Sequence, residues 1–215
     1  MRFTLLDNGA DSLKGAYDCL VKFEVLEQGT NHNLKDAVMH LNHGIEILLK
    51  LILKKASPAL MFTDIKAYQK AKEDLKNSDK DNVFQINSKL HTVSLEDALL
   101  RVEYLCDIEI PDTLNASIRY INKIRNQFMH YEVEIDDNEL SDLINKLKLC
   151  YEATVEFLEN HIENLSEIIS QSRFEYTRDD YEADMGEWLA ELRAEEARED
   201  YYSEMMDALE DYHRH

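Results

Sequence analysis

The chain predicts an all-α fold, and three observations carry that expectation. Punctuation is scarce: 215 residues include five Gly and two Pro, against ordinary usage of roughly 7% and roughly 5%. Apolar residues recur in alternating steps of three and four, the period of one helix face. A hydrophobic fraction of 44% beside a charged fraction of 32% supplies a core as well as solvated helix surfaces.

The elements follow in order. Leu13, Tyr17, Leu20 and Phe23 predict a first helix from about Asp11 to Gln28, closed by Gly29-Thr30-Asn31. Leu34, Val38, Leu41, Ile45, Leu48 and Ile52 form one stripe on a second helix, from about Leu34 to Lys55. Lys54-Lys55 complement the dipole at its end, and Ser57-Pro58 stops it. Residues 56–93 are less regular: Asp64 to Lys76 reads as helical, and the polar run Asn77 to Asn82 as a loop. Ser94, with Asp97 three residues on, caps a third core helix that runs to about Cys106. Ile110-Pro111-Asp112 opens a fourth, whose buried side is Leu114, Ile118, Ile121 and Ile124. After an acidic break from Glu132 to Asp137, a long helix is expected from about Asn138 to Ile169. Its core phase is Leu140, Ile144, Leu147, Tyr151, Thr154, Leu158, His161, Leu165 and Ile168.

Two domains result: a helical bundle over 1–170 and an acidic, tyrosine-rich tail over 171–215. The tail is either helical or disordered, with apolar patches at Trp188, Leu189 and Leu192 and at Met205, Met206 and Leu209. The formal net charge is -20. The tail holds five Arg and fifteen Asp or Glu, leaving 19 basic and 29 acidic residues in 1–170. A chain this acidic is a poor general binder of phosphate polymers. The tail, however, carries half the excess, which leaves room for a local basic pocket on the body. Cys19, Cys106 and Cys150 form no CxxC pair and read as reduced core thiols. The N-terminus lacks the apolar core of a secretory signal, and no run approaches a membrane-spanning length, so a cytoplasmic protein is expected. No P-loop, GxGxxG, GxSxG or HExxH is present, so nucleotide hydrolysis and serine or zinc hydrolase chemistry have no support.

The stretch that carries chemistry is Arg125-Asn126-Gln127-Phe128-Met129-His130-Tyr131. A histidine moves protons near neutral pH, and an arginine holds a phosphate by two parallel hydrogen bonds. Metal-free RNA cleavage needs a base for the 2′-hydroxyl, an acid for the leaving 5′-oxygen and a cation for the charged phosphorus centre. His130 from each of two subunits could share the acid and base roles, and Arg125 could supply the cation. Asn126 could orient the phosphate or the histidine. Tyr131 could stack a base or donate to a phosphate. Residues five apart on a helix diverge by roughly 140°, so Arg125 and His130 cannot easily meet at one phosphate from one helix. Either the helix ends near Phe128, letting His130 swing round, or two copies bring their motifs together across a twofold axis. A plain structural role competes, with Arg125 paired to Glu132 or Glu134 and His130 capping the helix end. On the second helix, His43 and Glu46 have metal-ligand spacing, yet with His40 they read better as a partly exposed face. Glu46 can also pair with Lys50 at i+4. No metal or cofactor is expected.

The order of parts resembles the HEPN-domain family: two antiparallel helices, an irregular segment, a helix ending in Arg-Asn-x-x-x-His, then a closing helix. Gly44-Ile45-Glu46-Ile47-Leu48-Leu49-Lys50 is similar to that family's hydrophobic helix, in which an acid precedes an apolar pair and a lysine. The resemblance covers about 1–170 and not the tail. It implies a HEPN-like antiparallel bundle and a dimeric, metal-independent endoribonuclease leaving 2′,3′-cyclic phosphate ends, of toxin or phage-defence type. Arg125 and His130 would be catalytic, Asn126 supporting, and Tyr131 and Glu46 would line the substrate cleft. Family toxins often read His-x-Tyr, whereas here Tyr131 follows His130 directly. The expected partners are RNA, a second copy, and an antitoxin or other regulatory protein. The alternative class is a non-catalytic HEPN-like interaction module, or an acidic antitoxin-like protein.

Overall fold

Thr4 starts the first helix with a reciprocal cap. Its Oγ1 accepts from the Asp7 N–H at 3.1 Å, and its own N–H donates to the Asp7 carboxylate at 2.9 Å. In this computed structural model, which describes residues 3–213, helix α1 therefore spans Leu5–Val25, earlier than the apolar spacing alone places it. The capping box supplies the difference. Gly29, with φ of 77°, takes a turn conformation that other residues resist. The chain then reverses into α2, Asn31–Ala56. The two helices run antiparallel: Gly9 faces Leu48, Ser12 faces His43, and Gly44 lies against Gly9 and Leu13. The α2 stripe is buried as its period requires, with Leu34, Val38, Leu41, Ile45, Leu48 and Ile52 all in the core.

A 3-10 turn at Pro58–Met61 leads to α3, Ile65–Lys76, and to a single turn, α4, Val83–Ile86. Phe62 gathers this segment, stacking on Tyr68 at 4.5 Å and tilting against Phe84 at 5.7 Å. Helix α5, Leu95–Leu105, begins at the Ser94 cap. Its Arg101 ties the irregular segment down by donating to the carbonyls of Leu60 (2.7 Å) and Phe62 (2.9 Å). Helix α6, Asp112–His130, follows Pro111 and buries Leu114, Ile118 and Ile121.

The expected long closing helix is two helices. Helix α7, Asp137–Glu159, starts at an Asp136/Glu139 capping box, and α8 is Leu165–Gln171. Asn164 between them is left-handed, φ 57°, a conformation asparagine tolerates. The break drives Ile162 and Leu165 into the core and packs α8 against α1. The buried phase also shifts: Leu143, Cys150 and Phe157 are buried beside Leu147, Thr154 and Leu158, whereas Leu140, Ile144 and Tyr151 are only partly covered. Burial pushes the Cys150 thiol up to about 11 and the Tyr151 phenol up to about 12. All three cysteines are free, Cys106 being only half-buried at the end of α5.

The chain divides into two compact units, Met1–Arg173 and Phe174–His215. Arg173 belongs to the first, where its guanidinium lies over Gly15 and pairs with Asp11 at 3.1 Å. The second unit is dominated by α9, Arg178–His213. It is entered through a reciprocal Thr177–Asp180 cap of 2.8 and 3.1 Å. Trp188, Leu189, Leu192, Met205 and Met206 are exposed on it. The Leu209 side chain lies outside the described residues. Among the described residues no helix is long and apolar enough to cross a membrane.

Candidate functional site

Helix α6 separates two kinds of residue. Its apolar side packs inward, and Arg119, Asn122, Lys123, Asn126 and His130 recur along another face at helical steps. The helix stays intact through His130, since the Tyr131 N–H donates to the Gln127 carbonyl at 2.8 Å. This overturns the route in which the helix ends near Phe128. Arg125 and His130 keep their divergence and border different cavities.

His130, Asn126 and Tyr131 line a groove of about 550 Å³, completed by Glu96, Arg119, Asn122, Lys123 and Gln127. His130 and Asn126 are exposed, and Tyr131 is 83% exposed. Arg119, Lys123 and Glu96 line this groove, and Glu96 neutralises Arg119, which leaves Lys123 as the uncompensated permanent charge. Glu96 pairs with the Arg119 guanidinium and accepts from the Asn122 amide at 3.2 Å. Arg119 is steadied further by the Asn115 oxygen at 2.7 Å. Asn122 in turn accepts from Asn42 of α2 at 3.1 Å. Asn42 is buried, so this polar chain joins α2, α6 and α5 through the bundle. Lys123 forms no ion pair among the described residues. Glu134, Glu139 and Asp142 line a separate cavity of about 410 Å³ between α6 and α7.

Arg125 lines a pocket of about 250 Å³ with Met39, His40, Asn42, His43 and Glu46 of α2. Its guanidinium donates to the neighbouring Asn126 oxygen at 3.0 Å. Among the described residues it forms no salt bridge, so the competing pairing with Glu132 or Glu134 is not made. Glu46 pairs with Lys50 at 2.6 Å, and Lys50 is a buried lysine that also donates to the Thr92 hydroxyl at 3.0 Å. Glu46 thus neutralises an interior cation while it borders the Arg125 pocket. The pocket also holds His40, which is half-buried, and His43, which is exposed, in keeping with the partly exposed face that their spacing predicts. Burial lowers both imidazoles below their ordinary value. Arg173 adds to this at His40, and Lys50 and Arg125 add to it at His43 against the opposing pull of Glu46. His43 Nδ1 lies 2.8 Å from the hydroxyl of Ser12, a residue that nothing in the sequence marks out.

Chemically, the groove offers the Lys123 ammonium and the His130 imidazole, and the pocket sets the Arg125 guanidinium beside the imidazoles of His40 and His43. Among the described residues no three or more His, Cys, Asp or Glu side chains gather as a metal centre needs. Comparison with protein-family profiles, curated proteins and solved structures gives no match to this chain.

Proposed function

We propose that this chain is a metal-independent endoribonuclease of HEPN type, acting as a toxin or phage-defence effector. The observation that carries the reading is the groove that sets Lys123, unpaired among the described residues, beside His130, Asn126 and Tyr131, on a chain whose formal charge is -20. A free ammonium beside a histidine and an exposed aromatic ring is the set that a phosphate backbone and its bases would use. Arg125 holds the scissile phosphate, Asn126 positions it, and His130 transfers a proton. Tyr131, almost fully exposed, offers a stacking face for a base. Because Arg125 and His130 border separate cavities, the active unit is a dimer in which His130 of one copy serves the Arg125 pocket of the other.

The deciding experiment is end-group analysis of cleaved RNA. The expected products carry 2′,3′-cyclic phosphate and 5′-hydroxyl ends, and chelation leaves the rate unchanged. Products with 3′-hydroxyl ends, or cleavage that stops with EDTA, would sink the proposal. A second reading, a non-catalytic helical interaction module, is favoured by the same separation of Arg125 from His130. It is the conclusion if no RNA is cleaved.

A further inference from the structure

The pocket around Arg125 contains a second proton-transfer group with a fixed orientation. Ser12, on α1, is 3% exposed and donates its only hydroxyl proton to the Asn8 carbonyl at 2.9 Å, one turn back. Its oxygen is then an acceptor, and the group 2.8 Å away is His43 Nδ1. With the Ser12 proton on that carbonyl, Nδ1 carries the ring proton and Nε2 keeps its lone pair; the other tautomer would turn the Ser12 hydroxyl to Nδ1 instead. A neutral histidine holds one donor and one acceptor nitrogen, and the partner of one decides the state of the other. His43 shares its pocket with Arg125, the residue that holds the phosphate in the function proposed above.

We infer that His43 is the general base of this site, its Nε2 taking the 2′-hydroxyl proton of an RNA phosphate held by Arg125, with Ser12 as the residue that positions it. The inference rests on the ribonuclease reading and deepens it. The 2′-oxygen forms a bond to phosphorus, and the bond from phosphorus to the 5′-oxygen breaks with its electron pair leaving on that oxygen. His130 of a second copy protonates it. The products are a 2′,3′-cyclic phosphate and a 5′-hydroxyl. His43 ends protonated and His130 neutral, and water restores both. His130 is thereby released from serving as both acid and base.

The charged surroundings agree. Asp11 of α1, Glu46 and Lys50 of α2, and Arg125 of α6 act on His43, and His40 shares its pocket. Burial, Lys50 and Arg125 lower the imidazole, while Glu46 and Asp11 raise it. Lowering leaves the ring neutral at pH 7, the form in which Nε2 accepts a proton.

The test uses the full chain and an RNA oligonucleotide. Nitrogen-resolved NMR of the histidine rings should find His43 protonated at Nδ1, and Ser12→Ala should shift it toward the Nε2-protonated form. His43→Gln, which cannot take a proton, should lower kcat by about 10²- to 10⁴-fold with little change in KM. It should also remove the acid limb of the pH–rate profile, which in the native chain lies below roughly 6.5. Ser12→Ala should displace that limb. A native His43 protonated at Nε2 overturns the inference, as does His43→Gln cleaving at the native rate, which returns the base role to His130. A native chain that yields no cyclic ends removes the ribonuclease reading itself, and His43's role with it.

Discussion

Arg125 and His130 share helix α6 and still open into different cavities, Arg125 against the histidines of α2 and His130 beside Arg119 and Lys123. The intact helix up to His130 enforces this. The composite site proposed above therefore pairs the two groups across a symmetric dimer. Light scattering at micromolar concentration should give twice the chain mass, and cross-linking should place the two Arg125–His130 segments at one interface. A monomer, or a dimer with the motifs on opposite outer faces, would remove the composite site.

The same division separates binding from chemistry. Arg125→Ala should lower kcat by about 10²- to 10³-fold through lost stabilisation of phosphate charge. His130→Ala should lower it by about 10²- to 10⁴-fold. Lys123→Ala should instead raise KM and reduce the salt dependence of RNA binding by about one phosphate contact. All three side chains lie outside the fully buried core, so circular dichroism melts should match the native chain. Full activity in His130→Ala would return that histidine to a helix-capping role.

The legibility of this architecture varied with how local its causes are. The α2 stripe, the Ser94 cap, the Pro111 start of α6 and the loop at 77–82 each follow from a few neighbouring residues, and each is where its spacing places it. The Thr4/Asp7 cap was equally local and marks the true start of α1. The division of the closing helix was not legible, because Leu165 and Ile168 continue the helical phase. Only the packing of α8 on α1, with Asn164 left-handed, breaks it. At the site, the divergence of Arg125 and His130 follows from the helical step alone. The meeting of Arg125 with His40 and His43, and of His43 with Ser12, depends on how α1, α2 and α6 cross, which no spacing along one helix encodes.

The α1–α2 crossing depends on glycine. A Cβ at Gly44 would sit 2.8 Å from Leu13 Cδ2 and 3.2 Å from the Gly9 carbonyl oxygen. Alanine gains about 1 kcal/mol in helix propensity, whereas overpacking costs about 1–3 kcal/mol. The Gly9 carbonyl is backbone and cannot rotate away, so the steric cost wins. Gly44→Ala should lower the urea midpoint. Gly186→Ala on α9, where nothing lies within 4 Å of the added carbon, should raise the helicity of the second unit. A more stable Gly44→Ala chain would contradict the crossing.

The buried Lys50 makes its partner's removal asymmetric. The Lys50 side chain is 6% exposed and that of Glu46 is 25% exposed. Glu46→Ala strands an interior ammonium with only the Thr92 hydroxyl, and should cost about 3 kcal/mol. Lys50→Met leaves a carboxylate that water can reach, and should cost about 1 kcal/mol. Thermal melts of the two variants decide this, and equal losses would mean that Lys50 is more hydrated than its burial indicates.

The acidic second unit should restrain RNA binding through charge. Residues 171–215 carry fifteen acids against five arginines, and a tethered polyanion competes with a phosphate backbone for the same cations. The cut belongs after Arg173, because its pairing with Asp11 and its position over Gly15 make it part of the first unit. A chain ending there keeps every residue of the groove and of the Arg125 pocket, so it should fold and should bind RNA more tightly. The gain should shrink as salt is raised, because exposed charges are screened beyond roughly 10 Å at 0.1 M ionic strength. Binding measured across a salt series separates this from a specific contact. A gain that persists undiminished at high salt points to steric blocking, and an unchanged affinity at every salt removes the restraining role and leaves the segment free to serve a basic partner.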